Sequence, residues 1–212
     1  MQWSPDRTGY PVLELPELGL AAHLLPVSKR QFERFLAEPV LDGGLFGDSW
    51  YESVLAVSPR VTLRDAQPEN YEAQFLDAIL PAETERFACW LGSGYDLPRV
   101  ETWRQVDELL RRQSLDEIEV AALRSDERLC PSARELLDCW IGMRNPQTWA
   151  ELGLFEGGLL EWVRISPRRF GGLGRPRQEF QRILINPQRD DPVKPIRAER
   201  LRSFGFRLVR PL

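Results

Sequence analysis

The chain predicts an α+β fold, and three observations carry that reading. Helical periodicity is concentrated between about residues 28 and 145. From Trp149 onward it gives way to short apolar runs separated by Gly, Pro and Arg. Two apolar runs of strand character, Leu20–Val27 and Phe204–Val209, stand at either end of this pattern. The length of 212 residues suits a single domain, 1–212, with a helical elaboration at about 105–148.

Taken in order, residues 1–19 are rich in Pro, Gly and Leu and read as an extended lead-in. Leu20–Val27 reads as a strand ending near Pro26. Ser28 and Gln31 have capping-box spacing, and Phe32, Phe35 and Leu36 follow at helical spacing to about Glu38. Between Gly43 and Pro68, Ser53–Val57 and Arg60–Leu63 read as short strands. Residues 69–92 read as two helical pieces broken at Pro81, the second being Ala82–Leu91, with Gly92 closing it. Pro98 then suits a helix start, and Val100, Trp103, Val106, Leu109 and Leu110 form an apolar stripe ending near Arg112. Ser114–Glu117 and Ser132–Glu135 repeat the capping-box pattern and predict helices to about Arg124 and Met143. In the last third, Leu159–Ile165, Gln181–Ile185 and Phe204–Val209 read as strands, with 166–186 and 187–200 as long loops.

The composition excludes several function classes. No apolar run approaches the roughly 20 residues that span a bilayer. The start, Met1-Gln-Trp-Ser-Pro-Asp-Arg7, lacks the basic and apolar segments of a signal peptide, so a cytoplasmic protein is expected. Three cysteines, Cys89, Cys130 and Cys139, are too few and too widely spaced for a disulfide framework and read as small core residues. The single histidine, His23, lies in an apolar strand and reads as a packed residue, not a catalytic one. No multi-histidine metal site can come from this chain. No Ser/His/Asp, Cys/His or paired-carboxylate arrangement stands out, so no catalytic residue, cofactor or metal ligand is assigned.

Charge is uneven. Residues 1–163 carry 15 basic and 28 acidic side chains, a balance of −13, whereas 164–212 carry 13 and 4, a balance of +9. Arg168, Arg169, Arg175, Arg177 and Arg182 cluster with Gly171, Gly172 and Gly174. Their spacing fits neither the P-loop nor the dinucleotide fingerprint. Guanidinium forks recognise carboxylates and phosphates, so these five arginines are the candidate contacts for an acidic or anionic partner.

Several stretches resemble, in order, the formylglycine-generating enzyme (sulfatase-modifying factor) family. They are Pro26–Phe35, Phe87–Leu91, Gly94-Tyr-Asp-Leu-Pro-Arg-Val-Glu-Thr-Trp103, Gly153–Glu156, Gly157-Gly-Leu-Leu-Glu-Trp162 and Gly205-Phe-Arg-Leu-Val-Arg210. The resemblance implies a C-type-lectin-like α+β fold with a small mixed sheet, early helices and long C-terminal loops. It also implies where chemistry departs from the family. The two copper-binding cysteines of the active enzymes have no counterpart, because no cysteine follows Cys139. The three-histidine iron site of the relatives that make sulfur-containing histidine betaines is also missing. Gly158 stands where the family places a calcium-binding asparagine, and Glu161 alone is a poor basis for a calcium site. The expected function is therefore a non-catalytic binding or protein-interaction module that presents an arginine-rich C-terminal loop face to an acidic or anionic partner, a protein being expected first. The alternative is a metal-dependent oxidoreductase with a rearranged site, for which Cys89, Cys130 and Cys139 would have to meet in space. Nucleic-acid binding through the arginine-rich quarter is a third, lesser expectation.

Overall fold

The computed structural model describes residues 1–38, 52, 54–56, 64, 74–155, 159–174 and 204–212, and within these the chain is mixed α+β. The lead-in is more ordered than its composition predicts. β1 (Gln2–Pro5) and β2 (Pro11–Leu15) form an antiparallel hairpin. The turn between them closes on the Asp6 carboxylate, whose Oδ1 accepts from the Thr8 and Tyr10 amides at 2.7 and 3.0 Å. Gly9 supplies the positive φ, 81°, that this turn needs. A 3-10 turn, Pro16–Leu18, leads to β3 (Leu20–His23), which pairs with β2. This strand is shorter than its apolar run, because the chain bends away beyond His23.

Helix α1 (Lys29–Leu36) begins on the predicted capping box. The Gln31 amide donates to Ser28 Oγ at 3.1 Å, and the Ser28 amide donates to Gln31 Oε1 at 2.9 Å. Helix α2 (Pro81–Leu91) starts at the proline. Residues 75–80 before it are not helical: Phe75 makes a bridge with Ser28, and the Leu76 amide donates to Val27 O at 2.8 Å. Residues 69–73 and Arg60–Leu63 lie outside the described residues, and Val54, Leu55 and Ala56 are helical where a strand is expected. α1 and α2 are locked by rings. Phe32 stacks on Phe87 at 5.4 Å, and Phe206 meets Phe87 edge-on at 5.8 Å.

Helix α3 (Val100–Arg112) matches its predicted span, and Val100, Trp103, Val106 and Leu110 are buried. Helices α4 (Glu117–Ser125) and α5 (Pro131–Arg144) form as expected, but with different starts. Asp116, not Ser114, caps α4, its carboxylate accepting from the Glu119 amide at 2.7 Å. Ser114 instead bridges Thr148. Pro131 opens α5, which leaves Ser132 already inside the helix. A short helix, α6 (Trp149–Leu152), precedes the second sheet.

That sheet holds β4 (Leu160–Ser166), β5 (Arg169–Leu173) and β6 (Phe204–Gly205) in the order β5-β4-β6, with β6 parallel to β4. β5 falls inside the expected 166–186 loop. Its glycines hide it from strand propensity, yet packing requires one of them, Gly172. A Cβ at Gly172 would stand 2.0 Å from Phe204 Cε1. Gly172→Ala is therefore expected to destabilise the fold by about 1–3 kcal/mol, read as a lower urea midpoint with an unchanged slope.

The expected strand Phe204–Val209 is broken in two. After β6 the chain crosses to the first sheet, where β7 (Val209–Pro211) pairs antiparallel with β3, giving the order β1-β2-β3-β7. Between the sheets, Val27 donates its amide to Phe206 O and His23 to Leu208 O, at 2.8 and 2.9 Å. Two adjoining apolar clusters fill the interior. One lies under the first sheet and α3, α5 and α6, and the other lies between α1, α2 and the second sheet.

Candidate functional site

Three of the stretches that carry the resemblance send a side chain to one buried point, where the chain crosses between the sheets. Trp103 comes from α3, Glu161 from β4 and Arg207 from the crossing itself. Arg207 Nε donates to Glu161 Oε2 and Nη2 to Oε1, both at 2.6 Å, a bidentate fork. Trp103 Nε1 donates to the same Oε2 at 2.9 Å. The remaining guanidinium donors go to the backbone, reaching Leu24 O at 3.0 Å and Gly153 O at 2.7 Å. The guanidinium lies 3.6 Å from the centre of the Phe155 ring, and that ring lies 5.1 Å from Trp103. Arg207 and Glu161 are 1% and 0% exposed, so no solvent helps to carry either charge.

This geometry fixes what Glu161 can do. Both of its oxygens are engaged by Arg207 and Trp103, and a divalent cation there would face the guanidinium. The carboxylate does not fit a calcium site. The cysteines do not fit a copper-thiolate site either. Cys130 and Cys139 sit at the N-cap and in the body of α5, about 13 Å apart along the axis at the helical rise. Cys89 is on α2. The expectation of three buried cysteines is corrected: Cys89 is exposed, the other two are half-buried, and burial pushes the Cys139 thiol pKa up. Among the described residues no three His, Cys, Asp or Glu side chains gather as a metal-binding group. No helix among them is long and apolar enough to cross a membrane.

His23 packs beside this centre. Its Nε2 lies 3.4 Å from Asp6 Oδ2, and its ring centre lies 5.6 Å from that of Tyr95. Burial lowers its pKa to about 4, with Arg207 acting in the same direction and Asp6 against it. The imidazole is therefore neutral at physiological pH. Asp6 in turn accepts from Gln31 Nε2 at 3.1 Å, tying the first hairpin to α1.

The arginine-rich quarter divides into two kinds of side chain. Arg207 and Arg164 pair with acids of the earlier, acidic part of the chain. Arg164 Nη2 donates to Glu85 Oε1 at 2.8 Å and to Asp96 Oδ1 at 2.6 Å, and its guanidinium lies 5.0 Å from the centre of the Phe170 ring. The pair borders a cleft of about 330 Å³ that Cys89, Gly94 and Tyr95 also line. Arg168 and Arg169, at the β4–β5 turn, are exposed and form no ion pair among the described residues. Arg175, Arg177 and Arg182, Gly158 and the strand expected at Gln181–Ile185 lie outside the described residues.

Arg99 is missed by the sequence reading. It is the exposed N-cap of α3, and it bridges Arg164 in parallel while the Arg164 amide donates to Pro98 O at 2.8 Å. Its distance in sequence from the basic quarter hides it, and nothing local could have revealed it. No family model, no curated protein and no solved structure matches this chain.

Proposed function

We propose that this chain is a non-catalytic, protein-interaction module on a formylglycine-generating-enzyme-like, C-type-lectin-like scaffold, binding an acidic partner through its arginine-rich C-terminal face. The observation that carries the reading is the contrast between two sets of arginines. Arg207 and Arg164 are engaged in holding the fold, whereas Arg168 and Arg169 stand exposed at the end of the second sheet. The convergence of Trp103, Glu161 and Arg207 supports the scaffold assignment. It gives those motif residues an architectural role that leaves none of them open to a substrate.

The test is capture from nuclease-treated native lysate with the wild-type chain and with Arg168→Glu/Arg169→Glu. An acidic protein retained by the first and lost from the second is expected. Copper or iron held stoichiometrically by the purified chain, with oxygen consumed in the presence of a thiol peptide, would overturn the proposal in favour of the oxidoreductase reading.

A further inference from the structure

Bridge partners in a sheet project their side chains to the same face. At the far end of the second sheet this rule aligns three residues from three segments. Phe170 of β5 is registered with Arg164 of β4, and Arg164 bridges Arg99 on the other side. The turn that follows carries Arg168, and β5 opens with Arg169, which strand alternation turns to the opposite face from its neighbour Phe170. Four arginines therefore gather at one end of the sheet, three from the basic quarter 164–212 and Arg99 from the acidic part of the chain. Three carboxylates accompany them. Glu85 and Asp96 are both held on Arg164, and Glu101 is exposed in the first turn of α3. Arg99, Arg168 and Arg169 form no ion pair among the described residues, and all three are exposed. Arg164 is fixed from both edges, because its Nη1 also donates to Pro167 O at 3.2 Å, so it braces the turn that presents the other arginines.

We infer that Arg99 joins Arg168 and Arg169 in a binding surface that wraps this end of the sheet, and that its occupant is an acidic segment of a partner protein. The inference rests on the proposed function and deepens it by adding a contact from the helical part of the chain and by naming the ligand class. Charge complementarity selects the occupant. Three separate guanidinium groups, with an aromatic ring beside them at Phe170, suit a run of spaced carboxylates on a flexible chain. They come from the N-cap of α3, the β4–β5 turn and the first residue of β5, a spread that suits an extended ligand.

The test uses a fluorescein-labelled ten-residue glutamate peptide, titrated by anisotropy at low and at moderate salt. The wild-type chain should bind it, and added salt should weaken the complex. Arg99→Ala and Arg168→Ala should each reduce affinity about two- to fivefold. Arg112→Ala, on the same helix but about 20 Å further along its axis, should leave affinity unchanged. Circular dichroism and the urea midpoint establish that each variant is folded. Loss on Arg168→Ala without loss on Arg99→Ala would overturn this inference and leave the proposed function standing. No loss on either, or no peptide binding, would overturn both. Binding of a single-stranded oligonucleotide in place of the peptide would overturn the assignment of the occupant.

Discussion

Arg207→Met will lower the free energy of unfolding by about 3–5 kcal/mol, because it strands Glu161 as an uncompensated charge in the interior. In the intact protein Glu161 is 0% exposed and receives two bonds of 2.6 Å from Arg207 and one of 2.9 Å from Trp103. Removing Arg207 leaves only the indole donor. It also leaves the Leu24 and Gly153 carbonyls without the guanidinium that satisfies them. Glu161→Leu alone makes the mirror error and strands the cation. The double replacement removes both charges, so it should cost clearly less than the two single costs added, with a coupling of about 2 kcal/mol or more. Urea unfolding of the four proteins closes this cycle. Additive losses would show that the two side chains do not act as a unit.

The fold will also lose stability in mild acid through one residue. His23 has a folded pKa of about 4 against an ordinary 6.5. Between these values the unfolded chain binds a proton that the folded chain refuses, so stability is fully present above pH 6.5 and falls as the pH drops toward 4. From pH 7.5 to 5 this linkage amounts to about 2 kcal/mol. His23→Gln should flatten that part of the curve. Because His23 is the only histidine in the chain, the proton on its Cε1 gives the one histidine signal of that type, which can be followed directly by NMR. That signal should stay at its neutral position from pH 8 down to 5. A midpoint near 6.5 in the folded protein would show that the site is wetter than its burial implies.

Both effects depend on one crossing point, and its legibility in sequence was uneven. The helices were readable where local chemistry decides them. Ser28 and Gln31 cap α1 as their spacing requires, and the stripe from Val100 to Leu110 faces the core. Capping is decided within one turn, and an apolar stripe needs only a core to face. Local reading failed where competing partners were distant. Ser114 has capping-box spacing, but the residues on either side of it are tied to the next connection, Leu115 donating to Gln147 O and Gln113 O accepting from Trp149, and the cap passes to Asp116. β5 has two adjacent glycines, and only the ring of Phe204 explains why the second, Gly172, stands in a strand.

The candidate binding face shows the same division. The excess of arginine after Ser166 is visible in composition, and it directs attention to Arg168 and Arg169. It cannot distinguish them from Arg207, which has the same chemistry and is 1% exposed. A guanidinium becomes a ligand contact or a structural member according to whether a carboxylate reaches it in space. For Arg207 that carboxylate is Glu161, 46 residues earlier. Arg99 was invisible for the converse reason, since its neighbours on the face come from β4 and the turn beyond it.

By itself, then, the sequence determined the α+β class, the positions of the main helices and the charge imbalance between the two parts of the chain. Each depends on residue type and on spacing within a few turns. The tertiary structure decided which charges cancel and which stay exposed. Ion pairs form between side chains that only the folded backbone brings within 3 Å. It also decided that Gly94–Trp103, Leu159–Trp162 and Gly205–Arg210 act together, because Trp103, Glu161 and Arg207 satisfy one another only where the chain passes from one sheet to the next.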